Sequence, residues 1–300
     1  MKLTALPSGK ALSHLGFGCS SYWAKPGFPE AQALQALRAA ADHGITYFDT
    51  GPSYAAGNAE RRLGAFLRQA DPAHAKFVVS SKFGTHTDDQ GKLYKDFAPQ
   101  RLEASVDGSL ERLGLQRLDM IFLHAPTIAE LNTALMDEVE LLKARGKIAQ
   151  VGVWSTDPSV VAHSLTLPLD VNMVQFNATD RSVESLLPRL AAAQRILVNG
   201  TALSQGVFSL KSVLPTNKKR AWYFARLLKN NPTFVLDYLK LKGAAHDAGL
   251  NPLEYAMSVW ATEVSIACGI FGSTDPVNIA ANCAAIERLE AKLPARGAAA

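Results

Sequence analysis

Cysteine is scarce in this 300-residue chain, and its three occurrences, Cys19, Cys268 and Cys283, lie far apart with no Cys-x-x-Cys pair. An odd, dispersed set fits neither a disulfide framework nor a zinc site, and it is the pattern expected of a protein kept in reducing cytoplasm. Net charge is nearly as sparse: 31 basic against 27 acidic residues leave +4. So small an excess, without an arginine-rich stripe, excludes nucleic acid as the expected partner. No apolar run reaches the ~20 residues of a membrane span, and Met1–Gly9 lacks the apolar core of a secretory leader. What is there, 48% hydrophobic and 19% charged residues, is the composition of a globular protein that buries a large core and works on a small molecule.

Short apolar runs alternate with longer stretches whose apolar residues recur every three or four positions. The runs read as buried parallel strands: Leu15–Gly18, Tyr47–Asp49, Phe77–Lys82, Leu118–His124, Ile148–Ser155, Val171–Phe176, Arg195–Ala202 and Ile266–Phe271. Between them lie helical stripes such as Leu102, Val106, Leu110, Leu113 and Leu131, Leu135, Val139, Leu142. Asp157-Pro158, Asn251-Pro252 and Asp275-Pro276 each offer an N-cap followed by proline, and Glu254 completes a capping box with Asn251. Gly44, Gly114 and Gly146 close the helices before them. Eight strands alternating with helices and no composition break indicate an α/β fold, a single (β/α)₈ TIM barrel over residues 1–300. A doubly wound sheet would need a glycine-rich turn and a helix after its first strand, and Gly16-Phe17-Gly18-Cys19-Ser20-Ser21 supplies neither. Residues 1–14 are expected to form a hairpin across the barrel floor. Residues 207–231, with six basic residues (Lys211, Lys218, Lys219, Arg220, Arg226, Lys229) and no acidic one, are expected to extend over the catalytic face.

The active site of such a barrel lies where the strands end, so polar residues that terminate apolar strands are the ones to collect. Asp49, Lys82 and His124 end three consecutive strands, and Tyr54 follows Asp49 in the same loop. Singly, each has an ordinary structural explanation: a cap, a solvated cation, a satisfied core histidine, a packed ring. Together they form a reactive cluster, and none has the second histidine or cysteine at ligand spacing that a metal would need.

Along essentially its whole length the sequence resembles the aldo-keto reductase family. The matching pieces are Tyr47-Phe48-Asp49-Thr50-Gly51-Pro52-Ser53-Tyr54 with Asn58-Ala59-Glu60, Ser80-Ser81-Lys82, Asp119-Met120-Ile121-Phe122-Leu123-His124 and Val151-Gly152-Val153. Val174-Gln175-Phe176-Asn177, Ala202-Leu203-Ser204-Gln205-Gly206 and Phe271-Gly272-Ser273-Thr274 continue the match. The resemblance implies a catalytic tetrad of Asp49, Tyr54, Lys82 and His124 and an enzyme that moves a hydride between a nicotinamide cofactor and a carbonyl or alcohol. Hydride arriving at a carbonyl carbon leaves negative charge on oxygen, so a proton donor and a positive field must be in place beforehand. Tyr54 would be the acid. A phenol titrates near pKa ~10, and a neighbouring Lys82 ammonium lowers it. Asp49 would keep Lys82 charged and aimed, and His124 would orient the substrate oxygen.

By the same resemblance Ser155 and Gln175 hold the carboxamide, the backbone from Thr201 through Leu203 and Gln205 to Gly206 follows the pyrophosphate, and Gly272, Ser273, Thr274, Asn278 and Asn282 meet the adenosine end. NADP(H) is expected ahead of NAD(H). The chain departs from the family in two places. Trp154-Ser155 stands where serine-asparagine is usual, and Gly200 stands where an aromatic or arginine often stacks on the nicotinamide. No lysine or arginine occurs from Ile270 to Glu287, so the charge for a 2′-phosphate would come from Lys218, Lys219 or Arg220. Tyr22, Trp23, Phe83 and Trp154, with Trp222 and Tyr223, are expected to ring a mouth that accepts an aldehyde, ketone or aldose. Two other functions are open to the same residues. One is a cofactor-binding regulatory subunit, as in the potassium-channel β subunits of that family; the other is an isomerase or aldolase with Lys82 as Schiff-base amine.

Overall fold

The computed structural model describes residues 1–203, 221, 222, 224, 225, 229 and 232–292. Each apolar run becomes a strand because a backbone paired on both edges buries branched side chains without stranding its own N–H and C=O groups. Leu15–Gly18 (β3), Tyr47–Asp49 (β4), Val78–Phe83 (β5), Leu118–His124 (β8), Ile148–Ser155 (β9), Val171–Val174 (β10), Ile196–Asn199 (β11) and Ile266–Phe271 (β12) pair in that order, all parallel. β12 returns to β3, and the sheet is a closed barrel. Ahead of it Leu3–Ala5 (β1) and Ala11–Ser13 (β2) form an antiparallel hairpin, turning at Gly9 with φ +84°. Leu6 and Leu12 of that hairpin join the apolar cluster inside the barrel, with Tyr47, Val78, Met120 and Cys268.

Three strands differ from the apolar runs. β5 starts one residue late because the Phe77 N–H is taken by the Asp71 carboxylate at 2.9 Å. β10 and β11 stop at Val174 and Asn199 because Asn199 replaces the ladder there. Its Nδ2 donates to the Phe176 carbonyl at 2.5 Å, and its Oδ1 accepts from the Phe176 N–H at 3.4 Å. Helices Glu30–Asp42 (α1), Asn58–Ala70 (α2), Leu102–Leu113 (α3), Thr133–Ala144 (α4), Pro158–Ser164 (α5) and Leu187–Ala192 (α6) pack outside the barrel, followed by Phe234–Asp247, Pro252–Ala261 and Pro276–Lys292. The caps are those the sequence signals. Asp157 accepts from Ser159 N, Asn251 from Glu254 N, and Asp275 from Val277 N. Gly44, Gly114 and Gly146 take φ of +83°, +71° and +73° past helix ends. A second hairpin, Thr85–Thr87 (β6) and Leu93–Lys95 (β7), follows β5 on the catalytic face. Most of the basic 207–231 segment lies outside the described residues, as do Gln205 and Gly206.

The barrel interior is filled by large rings set against glycines. A Cβ at Gly16 would lie 2.7 Å from the Tyr47 ring, and one at Gly152 would lie 2.1 Å from the Val171 carbonyl oxygen. Gly152→Ala therefore forces two strands apart, and we expect it to cost about 1–3 kcal/mol or more. Gly243, in an exposed helix with nothing within 4 Å of a built Cβ, is the opposite case. Gly243→Ala should stabilise by up to about 1 kcal/mol. Urea midpoints at unchanged m-value read both, and a neutral Gly152→Ala would contradict this packing.

Candidate active site

Parallel register brings the polar strand ends to one level. Asp49, the last residue of β4, pairs with Ser80 of β5, and Lys82 lies two residues further on the same face. His124, the last residue of β8, pairs with Trp154. Asp49 and Lys82 are buried, at 6% and 3% exposure, so neither charge is hydrated and each must be met by protein. Lys82 Nζ donates to Asp49 Oδ2 at 2.5 Å and to the Thr50 carbonyl at 2.8 Å. Ser80 Oγ donates to the other carboxylate oxygen at 2.7 Å and is itself 2.8 Å from the Tyr47 hydroxyl. Burial pulls the Lys82 ammonium down. Asp49, together with the Tyr54 oxygen, more than reverses this and holds Lys82 above the ordinary lysine value.

Tyr54 comes from the loop between β4 and α2. Ala55 and Ala56 both adopt left-handed φ, +50° and +51°, ahead of Gly57 at +79°. Such backbone is costly for residues with a Cβ, and it persists where the surroundings over-determine it. Here Glu60 anchors the start of α2: fully buried, it accepts from Ser81 Oγ at 2.6 Å and from Arg112 Nε at 2.6 Å. The half-buried Tyr54 ring lies 4.9 Å from Lys82 Nζ and edge-on to His124 at 6.2 Å between centroids. Burial, then the cations Lys82 and Lys95, drive the His124 imidazole down from its usual value to about 3. Lys95 of β7 also donates to the His124 carbonyl. A cavity of about 150 Å³ opens over this cluster, lined by Asp49, Tyr54 and Lys82 and by Trp154, Gly200 and Gly272. Trp154 occupies the space that Gly200 leaves: a Cβ there would lie 2.8 Å from its ring.

The other expected site residues are spread around this mouth. Ser155 Oγ accepts from Asp157 N at 3.0 Å, and Gln175 Nε2 donates to Asp180 at 2.7 Å. Thr201 Oγ1 accepts from Asn177 at 2.9 Å, and Leu203 is buried beside it. Ser273 and Thr274 are half-buried in the loop after β12, Asn278 is exposed, and Asn282 is buried in the following helix. Tyr22 packs between Phe28 and Trp222. Two residues expected at the mouth belong instead to the core. Trp23 is 2% exposed and donates its indole N–H to the Ala33 carbonyl, and Phe83 is fully buried against Phe97 and His86. Both are packed below the surface of the mouth, so aromatic content near the strand ends overstated the wall. Ser80 and Glu60 were passed over as site-building residues. Ser80 was findable, since a residue two before Lys82 shares its inward face.

A model of the aldo/keto reductase family matches residues 14–293. The chain belongs to the aldo/keto reductase family. D-threo-aldose 1-dehydrogenase of a Pseudomonas species is 30% identical over 232 residues, 68% of this chain and 70% of that protein. L-galactose dehydrogenase of Arabidopsis thaliana is 26% identical over 212 residues, 67% and 65% of the two chains. An aldo-keto reductase of Bacillus halodurans in its holo form superposes with a TM-score of 0.79 at 23% identity, covering 96% of this chain and 91% of that one. This aldo/keto reductase is thus an NAD(P)-dependent oxidoreductase on a (β/α)₈ barrel. No helix among its described residues is long and apolar enough to cross a membrane.

The depressed His124 value gives a titration to measure. An unfolded histidine binds its proton near pH ~6.5. The folded one does so near about 3, so the unfolded state takes up the proton first and His124's contribution to stability, full above the unfolded value, is lost as pH falls through that window. NMR of the His124 ring should show no titration between neutral pH and the mid-acid range, and a midpoint near the ordinary histidine value would contradict the neutral imidazole.

Proposed function

We propose that this aldo/keto reductase reduces the carbonyl of an aldehyde, ketone or aldose to an alcohol, or runs the reverse reaction, with Tyr54 as general acid and base. The observation that carries this is the buried Lys82 ammonium, ion-paired to Asp49 and 4.9 Å from the Tyr54 ring. A cation at that distance favours the phenolate over the phenol, which makes the Tyr54 proton easier to give up to a substrate oxygen as charge develops there. His124, neutral, offers one N–H to the same oxygen without competing for that proton. A Schiff-base role for Lys82 is disfavoured, because the amine that would attack a carbonyl is held protonated. The sugar dehydrogenases among the relatives favour an aldose as the substrate, oxidised as the hydride donor.

The mouth fits a flat cofactor ring. Gly18, Gly200 and Gly272 line it, and the Trp154 indole and the Met173 thioether fill the space beside Gly200. A bound nicotinamide dinucleotide would supply the hydride. Trp154, Ser155 and Gln175 would hold its ring, Thr201 to Gly206 its pyrophosphate, and Gly272, Ser273, Thr274, Asn278 and Asn282 its adenosine end. We assign NADP(H) ahead of NAD(H), with the 2′-phosphate met by cations outside the described residues. Three buried, unpaired cysteines accord with a cytoplasmic enzyme.

Tyr54→Phe should keep the fold and the affinity for NADPH, read by fluorescence titration, while lowering turnover of aldoses and aldehydes by roughly 10²–10⁴-fold, the value of a positioned acid. Wild-type turnover in Tyr54→Phe would remove the tyrosine from this role, and tighter binding of NADH than NADPH would reverse the cofactor assignment.

A further inference from the structure

A second cavity, of about 450 Å³ against about 150 Å³ for the reaction cavity, lies between the Tyr54 loop, the β6–β7 hairpin and α3. None of the tetrad lines it. Pro52, Ala56 and Gly57 form one wall, so the loop that presents Tyr54 to the reaction cavity turns its other residues to this one.

The unspent chemistry of the lining is donor chemistry. Arg101 and Arg112 both face the cavity, and each has committed its Nε to a carboxylate at 2.6 Å, Asp96 and Glu60 respectively. Among the described residues their terminal nitrogens make only marginal contacts, Arg101 Nη1 to the Tyr94 hydroxyl at 3.4 Å and Arg112 Nη2 to Ser109 at 3.5 Å. Arg112 is held in a slot: a Cβ at Gly57 would lie 2.8 Å from its Cδ, and one at Gly108 would lie 3.0 Å from Nη1. Asp88, the carboxylate of the lining, accepts through Oδ1 from the backbone N–H groups of Gln90 at 3.0 Å and Lys92 at 2.8 Å. His86 spends its Nε2 on the Asp96 carbonyl. Thr85 is 8% exposed, and among the described residues its hydroxyl and that of Thr87 have no hydrogen-bond partner. A buried hydroxyl left unpaired costs about 1–3 kcal/mol, so these two gain from any acceptor brought into the cavity.

We propose that this cavity binds a small molecule through a phosphate or carboxylate group, at a site separate from the reaction centre. The guanidinium groups of Arg101 and Arg112 take such a group end-on, through their terminal nitrogens, and its remaining oxygens accept from the threonine hydroxyls. The volume leaves room for a body of metabolite size beyond the anionic group.

Isothermal titration of the full chain, with inorganic phosphate in one arm and malonate in the other, tests this without any turnover. Saturable binding of either probe is expected, and the arm that binds identifies the acid. Arg101→Gln, and Ser105→Trp, which fills the cavity from α3, should raise the dissociation constant at least about tenfold while leaving carbonyl turnover unchanged. Thr85→Val, close in shape and minus one hydroxyl, should weaken binding severalfold and guards against a folding defect in the larger changes. Failure of both probes to saturate, or equal affinity in all three variants, overturns the site. Neither result bears on the proposed role of Tyr54, which is read by turnover of the Tyr54→Phe variant.

Discussion

A lysine and an aspartate shut into the mouth of an apolar barrel can both stay charged only if they face each other. Removing either ion from water costs several kcal/mol, and that cost is recovered only with near-contact geometry and every remaining lone pair and proton satisfied. The structure meets both conditions. Lys82 finds Asp49 and the Thr50 carbonyl, and Asp49 finds Ser80, which is backed by Tyr47. The pair then sets the state of its neighbours. It places a fixed positive charge beside the Tyr54 ring, and the same charge helps keep His124 neutral. The strand ends must stop where they do, because a one-residue slip of β4 against β5 would turn Asp49 away from Ser80 and Lys82.

Around that pair the barrel is shaped by exchanges between rings and glycines. Tyr47 fills the space of a side chain at Gly16, Trp260 that at Gly269, and Trp154 that at Gly200. The last exchange lies on the mouth itself. A flat indole on β9 replaces whatever a larger residue after β11 would present, so the wall of the reaction cavity is aromatic from a different strand than the family pattern leads one to expect. Gly200 cannot be enlarged without moving Trp154.

Much of this was legible in the sequence because it depends on period and on strand ends. The eight apolar runs mark the eight barrel strands, five of them to the residue, and the capping residues at Asp157, Asn251 and Asp275 act as their types dictate. Asp49, Lys82, His124 and Tyr54 come together as their positions at strand ends indicate. What stayed hidden depends on contacts between distant segments. Trp23 and Phe83 look like wall residues by position, yet the Ala33 carbonyl and the Phe97 ring draw them inward. The β6–β7 hairpin went unread although Asp88-Asp89-Gln90-Gly91 carries turn chemistry, with Gly91 at φ +78° and the Asp88 carboxylate collecting two N–H groups. Its strands of three residues are too short for alternation to show. The second cavity depends on that hairpin, so it too could not be seen.

The central claim is that the Asp49–Lys82 pair acts through Tyr54, and titration of Tyr54 itself tests it most directly. The probe is protein labelled with ¹³C at tyrosine Cζ, with the Tyr54 signal assigned by its loss in Tyr54→Phe, compared between the wild type and Lys82→Met. Loss of the cation in Lys82→Met should move the Tyr54 midpoint upward while the exposed tyrosines stay in place. A Tyr54 midpoint unmoved by Lys82→Met would contradict the electrostatic role of the pair.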